Sequence, residues 1–296
     1  MNASVLPGEQ PAASLSGKEL AATIRAQCAA DAAELSASAT PPRLVVVVAT
    51  DDGSSVSYVR SIAKAAEKAD IRCDIVDLGA DAPEQLIADT LTALSDDDTV
   101  HGIILQTPLP AGLELQRLAA AIDPAKDVDG ANPASLGFLA AGQPAFAPAT
   151  AEAVIALLDH HGVEVAGKHT VVVGRSTVVG IPLSHLLLAR NATVTVCHSR
   201  TPVLATHTTR GDVVVVAVGR PGLVTAEDVA NGAVVVDVGT NVTDSGKLVG
   251  DVDADKVALK AGALTPVPGG VGPVTTALLL RHTITAAQAT RVRVAG

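Results

Sequence analysis

The sequence predicts an α/β protein of two domains, each a parallel sheet wrapped by helices. Three observations carry this. The runs Leu44–Ala49, Val213–Val218 and Val234–Val236 are continuously apolar, as strands covered on both faces of a parallel sheet are. Helical patterns alternate with such runs along the chain, the rhythm of parallel strands joined by crossover helices. A chain of 296 residues is long enough for two units of about 120–150 residues, each with a sizeable core.

Taken in order, residues 1–15 read as a disordered lead. Leu15-Ser16-Gly17-Lys18 opens an Ala-rich helical stretch to about Leu35, in which Leu20, Ile24 and Cys28 recur at spacing four and would bury one face. Pro41-Pro42 ends the approach to the strand Leu44–Ala49. A helix from about Ser55 to Ala69, a strand Arg72–Val76, a helix Pro83–Leu94 and a strand Val100–Leu105 follow. Phe146–Thr150 reads as the crossing between halves, with a helix Ala151–His161 leading into the second. Strands are expected there at Thr170–Val173, Ala192–Val196, Asp212–Ala217 and Ala233–Val238, then a hairpin-like Lys247–Val252 and a final helix from about Val274.

The stretch Thr170–Leu188, TVVVGRSTVVGIPLSHLLL, reads as strand, tight turn and helix. Gly174 can take backbone angles closed to other residues, and Ser176 with the following amides sits where a helix N-terminus offers unpaired N–H groups to an anion. A dinucleotide pyrophosphate fits such a turn. The pattern G-x-S-x-x-x-G (Gly174, Ser176, Gly180) differs from G-x-G-x-x-G, so on the glycines alone an ordinary strand-to-helix turn remains the alternative. The next strand ends in Cys197-His198-Ser199-Arg200-Thr201, where an NAD-binding unit places an acid against the ribose 2′-hydroxyl; no acid is present. Ser199 and Arg200, with Arg175 in the first turn, instead supply hydroxyl and guanidinium donors suited to a 2′-phosphate, which favours NADP over NAD.

Composition excludes other classes. The formal charge of −10, with 21 Lys+Arg against 31 Asp+Glu and no basic block, argues against a nucleic-acid partner. Tyr58, Phe138 and Phe146 are the aromatic residues, too few for a single-strand stacking platform. Mean hydropathy is +0.38, yet the apolar runs are strand-length, far short of the ~20 residues a spanning helix needs, so no membrane partner is expected. The first twenty residues show neither a basic n-region nor an apolar h-region, and Cys28, Cys73 and Cys197 fit neither a disulfide framework nor a zinc site. A reducing cytoplasm is the expected home.

Three further loops have unusual residue choices. Gln106-Thr107-Pro108-Leu109-Pro110 follows a buried strand directly, so Gln106 stands at a carboxyl end, where open α/β sheets place ligands; a Gln closing a loop is the plainer reading. Asp123 to Gly130 sets Lys126, Asp127 and Asp129 in what would otherwise read as a solvated turn. Thr265–Pro273 reads as a rigid turn whose glycines let a ligand approach the backbone.

Five separated stretches stand together in order: Ser55-x-x-Tyr58-Val59, Gly102-Ile-Ile-Leu-Gln106-x-Pro-Leu-Pro110, Lys126-Asp-Val-Asp-Gly130, Gly174-Arg-Ser-x-x-Val-Gly180-x-Pro182 and Pro266-Val-Pro-Gly-Gly-Val-Gly-Pro273. Over Leu15 to about Ala287 the chain resembles the methylenetetrahydrofolate dehydrogenase/cyclohydrolase family. The resemblance implies a folate-binding catalytic domain of residues 1–149 plus 274–296, a Rossmann-like NADP-binding domain of residues 150–273, a folate cleft between them, and a homodimer. It implies that Tyr58 packs against the pterin of a tetrahydrofolate one-carbon derivative. It further implies that Gln106 orients a catalytic lysine, that Asp129 takes the pterin's amide edge, and that Pro268, Gly269, Gly270 and Val271 line the folate site. By the same resemblance Gly174, Arg175, Ser176, His198, Ser199 and Thr240 hold NADP. A pteridine does need a flat partner and a carboxylate for its adjacent N–H donors, and Tyr58 is the chain's one tyrosine.

Several positions depart from the family pattern: Ala149 for a cysteine, Thr240 for an isoleucine, Asn132 for a histidine, Val274 for a methionine, and Ile62 where the family has its catalytic lysine. Hydride transfer needs two rings held face to face with no obligatory proton relay, so NADP-dependent oxidation of 5,10-methylenetetrahydrofolate is expected to survive. Hydrolysis of the methenyl product needs proton transfer, which an isoleucine cannot perform, and is expected near the uncatalysed rate. Two other readings stand beside this one: a folate- and nucleotide-binding protein without turnover, and a dehydrogenase for a modified one-carbon carrier.

Overall fold

The structure, a computed structural model, describes residues 11–38, 40–243 and 245–295. Its elements in chain order are β1 (Ala13–Ser14), α1 (Lys18–Ala37), β2 (Arg43–Val48), α2 (Gly53–Glu67), β3 (Arg72–Asp77), α3 (Glu84–Asp96), β4 (Gly102–Leu105), α4 (Leu115–Ala119), α5 (Pro133–Ala140) and α6 (Ala149–His160). Then follow β5 (His169–Val173), α7 (Gly180–Ala189), β6 (Thr193–Cys197), α8 (Ala205–Thr208), β7 (Val213–Val216), β8 (Val234–Asp237), β9 (Asn241–Val242), β10 (Leu248–Val249), α9 (Ala254–Val257), β11 (Ala263–Leu264) and α10 (Val271–Ala295). No helix among the described residues is long and apolar enough to cross a membrane.

The chain divides into two units. The unit expected to bind folate, called the folate-side unit, is Ala21–Ala149 with the described residues from Thr275 on, and it holds a parallel sheet ordered β3-β2-β4. Its central strand β2 is a Val/Leu run because both its faces are covered: Val45 and Val47 join Ile87, Leu91, Ile103, Leu105, Leu118 and Ile122 in one apolar cluster. Each such fully buried side chain contributes about 1.5–3 kcal/mol. Asp52 starts α2 by accepting from the Ser55 amide at 2.8 Å, which fixes where the helix carrying Tyr58 begins.

The unit expected to bind the dinucleotide, called the nucleotide-side unit, is the described residues up to Leu20 with Thr150–Val274, and it holds a six-stranded parallel sheet ordered β1-β11-β8-β7-β5-β6. From β5 the chain adds β6 on one side and β7 then β8 on the other. That reversal opens a crevice outside the carboxyl ends of β5 and β7. Val171, Val173, Val214, Val216, Val235 and Leu264 form the apolar cluster beneath it.

Four expectations are corrected. Residues 1–10 of the expected disordered lead lie outside the described residues, but Ala13-Ser14 is a strand paired with Ala263-Leu264, which puts residues 11–20 in the nucleotide-side unit. The anion-binding helix does not begin at Ser176: residues 177–179 form a turn and α7 starts at Gly180. The hairpin is Asn241–Val242 with Leu248–Val249, and Gly250–Val252 follows it. The last helix takes in Val271, Gly272 and Pro273, expected in the preceding turn; a proline in a first turn loses no helical hydrogen bond.

Candidate functional site

In the folate-side unit the fold brings Tyr58 and Asp129 together. Asp127 bridges Ile103 in parallel register, and the Ile103 amide donates to the Lys126 carbonyl at 2.8 Å, so Lys126–Gly130 runs beside β4. Gln106 and Asp129 therefore both emerge at the carboxyl end of this sheet. Gln106 donates from Nε2 to the Thr107 carbonyl, and Ser55 Oγ donates to the same oxygen at 3.0 Å, tying the Gln106 loop to α2 one turn before Tyr58. The Thr107–Pro108 peptide is cis.

The Lys126–Gly130 segment is structured, not a solvated turn. Lys126 Nζ donates to the carbonyls of Ser95 and Asp97, and Asp127, fully buried, accepts from the Ala131 and Asn132 amides and from Ser135 Oγ. Gly130 has φ +63°, and a Cβ there would overlap the backbone of Ala147 and Pro148. This anchoring holds Asp129, half-buried, two residues along from Asp127. Burial pushes its carboxyl up to about 7, Asp127 adds to the rise, and His282 and the Ala149 amide oppose it. The Tyr58 phenol is raised by its own desolvation and then by the Asp129 charge, against a hydrogen bond with Thr276.

His282, buried on α10, belongs to this cluster. Its Nδ1 donates to the Val128 carbonyl at 2.7 Å, and its ring lies 4.9 Å from that of Phe146. Neither His282 nor Thr276 stood out in the sequence, because both sit inside an apolar helical pattern with no spacing that marks them.

Ile62 lies one turn after Tyr58 on α2. It is fully buried and shares the core face of α2 with Ser55, Val59 and Ala66, while Tyr58 is 36% exposed and Arg60 and Lys64 point to solvent. The two side chains lie on the same side of the helix, Ile62 turned into the core and Tyr58 at the edge of the buried face.

At the crevice of the nucleotide-side unit, the Gly174 amide donates to the Cys197 carbonyl at 2.8 Å, at the carboxyl ends of β5 and β6. A Cβ on Gly174, whose φ is +127°, would overlap the Ala217 carbonyl, and one on Gly180 would overlap the Gly174 carbonyl. The turn is thus bare backbone by steric necessity, the cradle a pyrophosphate needs. Ser176 Oγ accepts from the Val179 amide at 3.2 Å. His198 to Thr201 forms a closed turn: the His198 amide donates to Thr201 Oγ1, Thr201 returns a bond to the His198 carbonyl, and Arg200 donates its amide to His198 Nδ1. Arg175, Ser176, Ser199, Arg200 and Thr240 are exposed, and neither arginine has an ion-pair partner among the described residues. The donor set fits a dinucleotide with a 2′-phosphate.

Pro268, Gly269, Gly270 and Val271 fall in the nucleotide-side unit, where their glycines serve the chain's own packing. The Gly17 amide donates to the Gly269 carbonyl at 2.9 Å, a Cβ on Gly17 would overlap the Gly270 carbonyl, and Gly269 and Gly270 are buried. The expected close approach of a ligand to these two glycines is therefore taken up by residues 17 and 18; Pro268 is exposed beside them.

Comparison with known proteins agrees over both units. Residues 15–129 match the family described as tetrahydrofolate dehydrogenase/cyclohydrolase, catalytic domain, and residues 148–291 its NAD(P)-binding domain. The chain is 65% identical over 273 residues to a bifunctional protein FolD 1 of Saccharopolyspora erythraea, covering 92% of this chain and 93% of that one. Among solved structures, it is 38% identical to the bifunctional FolD dehydrogenase/cyclohydrolase of Campylobacter jejuni, with a TM-score of 0.90 over 93% of this chain and 98% of that one. It is 36% identical to a Trypanosoma brucei FolD complexed with NADP cofactor and inhibitor, TM-score 0.90, covering 96% and 99%. The chain belongs to the tetrahydrofolate dehydrogenase/cyclohydrolase family.

Proposed function

We propose that this protein oxidises the methylene bridge of 5,10-methylenetetrahydrofolate to the methenyl level with NADP⁺ and leaves the methenyl product unhydrolysed. Tyr58 supplies the flat face for the pterin, and Asp129 accepts from the adjacent N–H donors of its amide edge, which requires the carboxylate form. Gln106, tethered through Thr107 to α2, orients the substrate beside Tyr58. Gly174 and Ser176 seat the pyrophosphate, His198 and Thr240 border the dinucleotide, and Arg175, Ser199 and Arg200 take the 2′-phosphate by charge-assisted hydrogen bonds. Bound NADP⁺ is the hydride acceptor; the chain's share is binding, alignment and exclusion of water.

The observation that separates this reading from a two-step enzyme is Ile62, sealed in the core at the position where the resemblance expects a lysine. Ring opening of the methenyl product needs a group that moves a proton beside the reacting carbon, and an aliphatic side chain moves none. A homodimer is part of the same proposal and is checked by light scattering. The test of the oxidation is methenyl formation by the purified protein, followed spectrophotometrically with NADP⁺ and with NAD⁺ beside calorimetric titration of both nucleotides. Turnover faster with NADP⁺ is expected. Tight binding without turnover would make the protein a non-catalytic member of its family.

A further inference from the structure

The loops that follow β7 and β8 are fastened by one carboxylate that comes from neither. Asp251, fully buried two residues after β10, accepts at Oδ2 from the amides of Val218 at 2.7 Å and Gly219 at 2.9 Å. At Oδ1 it accepts from the Arg220 amide at 2.8 Å and from Asn241 Nδ2 at 2.9 Å. The Asp251 amide donates to Asp237 Oδ1 at 2.9 Å, and Asp237 also gathers the amides of Gly239 and Val252. Room for the two carboxylates exists because Gly239 and Gly250 lack a Cβ; one on either would overlap Asp251 or Asp237.

The fold gives this clamp a direction. The bare turn at Gly174 follows β5, and the exposed Ser199 and Arg200 follow β6, so a dinucleotide with its pyrophosphate at the first and its 2′-phosphate at the second extends its other half over β7 and β8. Val218–Arg220 is the turn after β7, next to the Ala217 carbonyl that abuts Gly174; Asn241 follows the exposed Thr240 after β8. We propose that Asp251 is a positioning residue for the nicotinamide half of the dinucleotide: it sets the spacing between the 218–220 turn and the 239–241 stretch. The inference rests on the 2′-phosphate assignment to Arg175 and Arg200. All four acceptor positions are met by donors, so an isosteric asparagine turns an NH₂ toward two N–H groups whichever way it lies.

The test uses calorimetry on the purified protein and Asp251→Asn with two probes, NADPH and 2′,5′-ADP, the second carrying only the adenosine half. Asp251→Asn is expected to weaken NADPH about tenfold or more and to change 2′,5′-ADP less than twofold. Equal loss of both probes, or loss of neither by a folded variant, overturns the proposal. Hydrogen exchange on the unaltered protein decides the matter even if the variant does not fold: NADPH should slow exchange at Val218–Arg220 and 2′,5′-ADP should not. Equal protection by the two, or none, overturns it. Failure of the 2′-phosphate assignment shows separately, as unchanged 2′,5′-ADP binding in Arg175→Ala/Arg200→Ala.

Discussion

His282 Nδ1 donates to the Val128 carbonyl at 2.7 Å, one residue before Asp129, so the C-terminal helix pins the turn that holds the site's half-buried acid. His282→Leu leaves that buried carbonyl unpaired, which costs about 1–3 kcal/mol. We expect a lower Tm together with a raised KM for methylenetetrahydrofolate and an unchanged KM for NADP⁺. His282→Asn, whose Nδ2 reaches nearly the place of the imidazole Nδ1, should restore most of both. Equal KM values for methylenetetrahydrofolate in the leucine and asparagine variants would contradict the pinning role.

Asp129 sets a pH dependence with two signs. Its carboxyl sits near 7 in the folded chain against an ordinary value of 3.8, so between those values the folded state holds a proton that the unfolded state has released. Stability from this group therefore falls as pH rises through the window, and Asp237, pushed up to about 6 mainly by burial, adds in the same direction over a narrower one. Folate binding runs the other way, because the carboxylate is the accepting form: KM for methylenetetrahydrofolate should fall as pH rises through about 7. Thermal melts and KM profiles of the protein and Asp129→Asn check both; a variant with the same profiles as the unaltered protein would contradict the assignment.

Replacing Arg175 and Arg200 together by Ala should weaken NADP⁺ far more than NAD⁺. A hydrogen bond to a charged group contributes about 1.5–3 kcal/mol, so each arginine is expected to account for roughly tenfold or more. Titration calorimetry reads the ratio of the two affinities. Equal weakening would mean that the arginines serve the fold.

The sheet-forming parts of the chain were legible because β2, β5, β7 and β8 are Val-rich runs that have no other use in a soluble α/β pattern, and the loops at their carboxyl ends named most candidate residues. Ala13-Ser14 was not legible: two exposed residues acquire strand geometry from β11, not from their own periodicity. Gly269 and Gly270 carry the signature of close backbone approach, but a local motif does not say whether the approaching atoms belong to a ligand or, as with Gly17, to the chain. Asp251 and His282 act on atoms 31 and 154 residues away, a relation no local spacing encodes.

Ile62→Lys places an ammonium where the side chain is fully buried among Val59 and Ala66. The variant should melt below the unaltered protein, since burial can lower a lysine's pKa by about 3–5 units at the expense of the charged form. A lysine so lowered is also a better base near neutrality, so methenyltetrahydrofolate hydrolysis should rise while NADP⁺-dependent oxidation persists. Hydrolysis unchanged in a folded variant would show that position 62 does not reach the reacting carbon.

The account stands most directly on the fate of the methenyl product. With methylenetetrahydrofolate and NADP⁺ supplied together, absorbance of methenyltetrahydrofolate should rise at a rate proportional to protein concentration and then decay at the rate seen in buffer alone, whatever the protein concentration. A decay that quickens in proportion to the protein would contradict the account, and would show that a residue other than the isoleucine at position 62 carries the proton for ring opening.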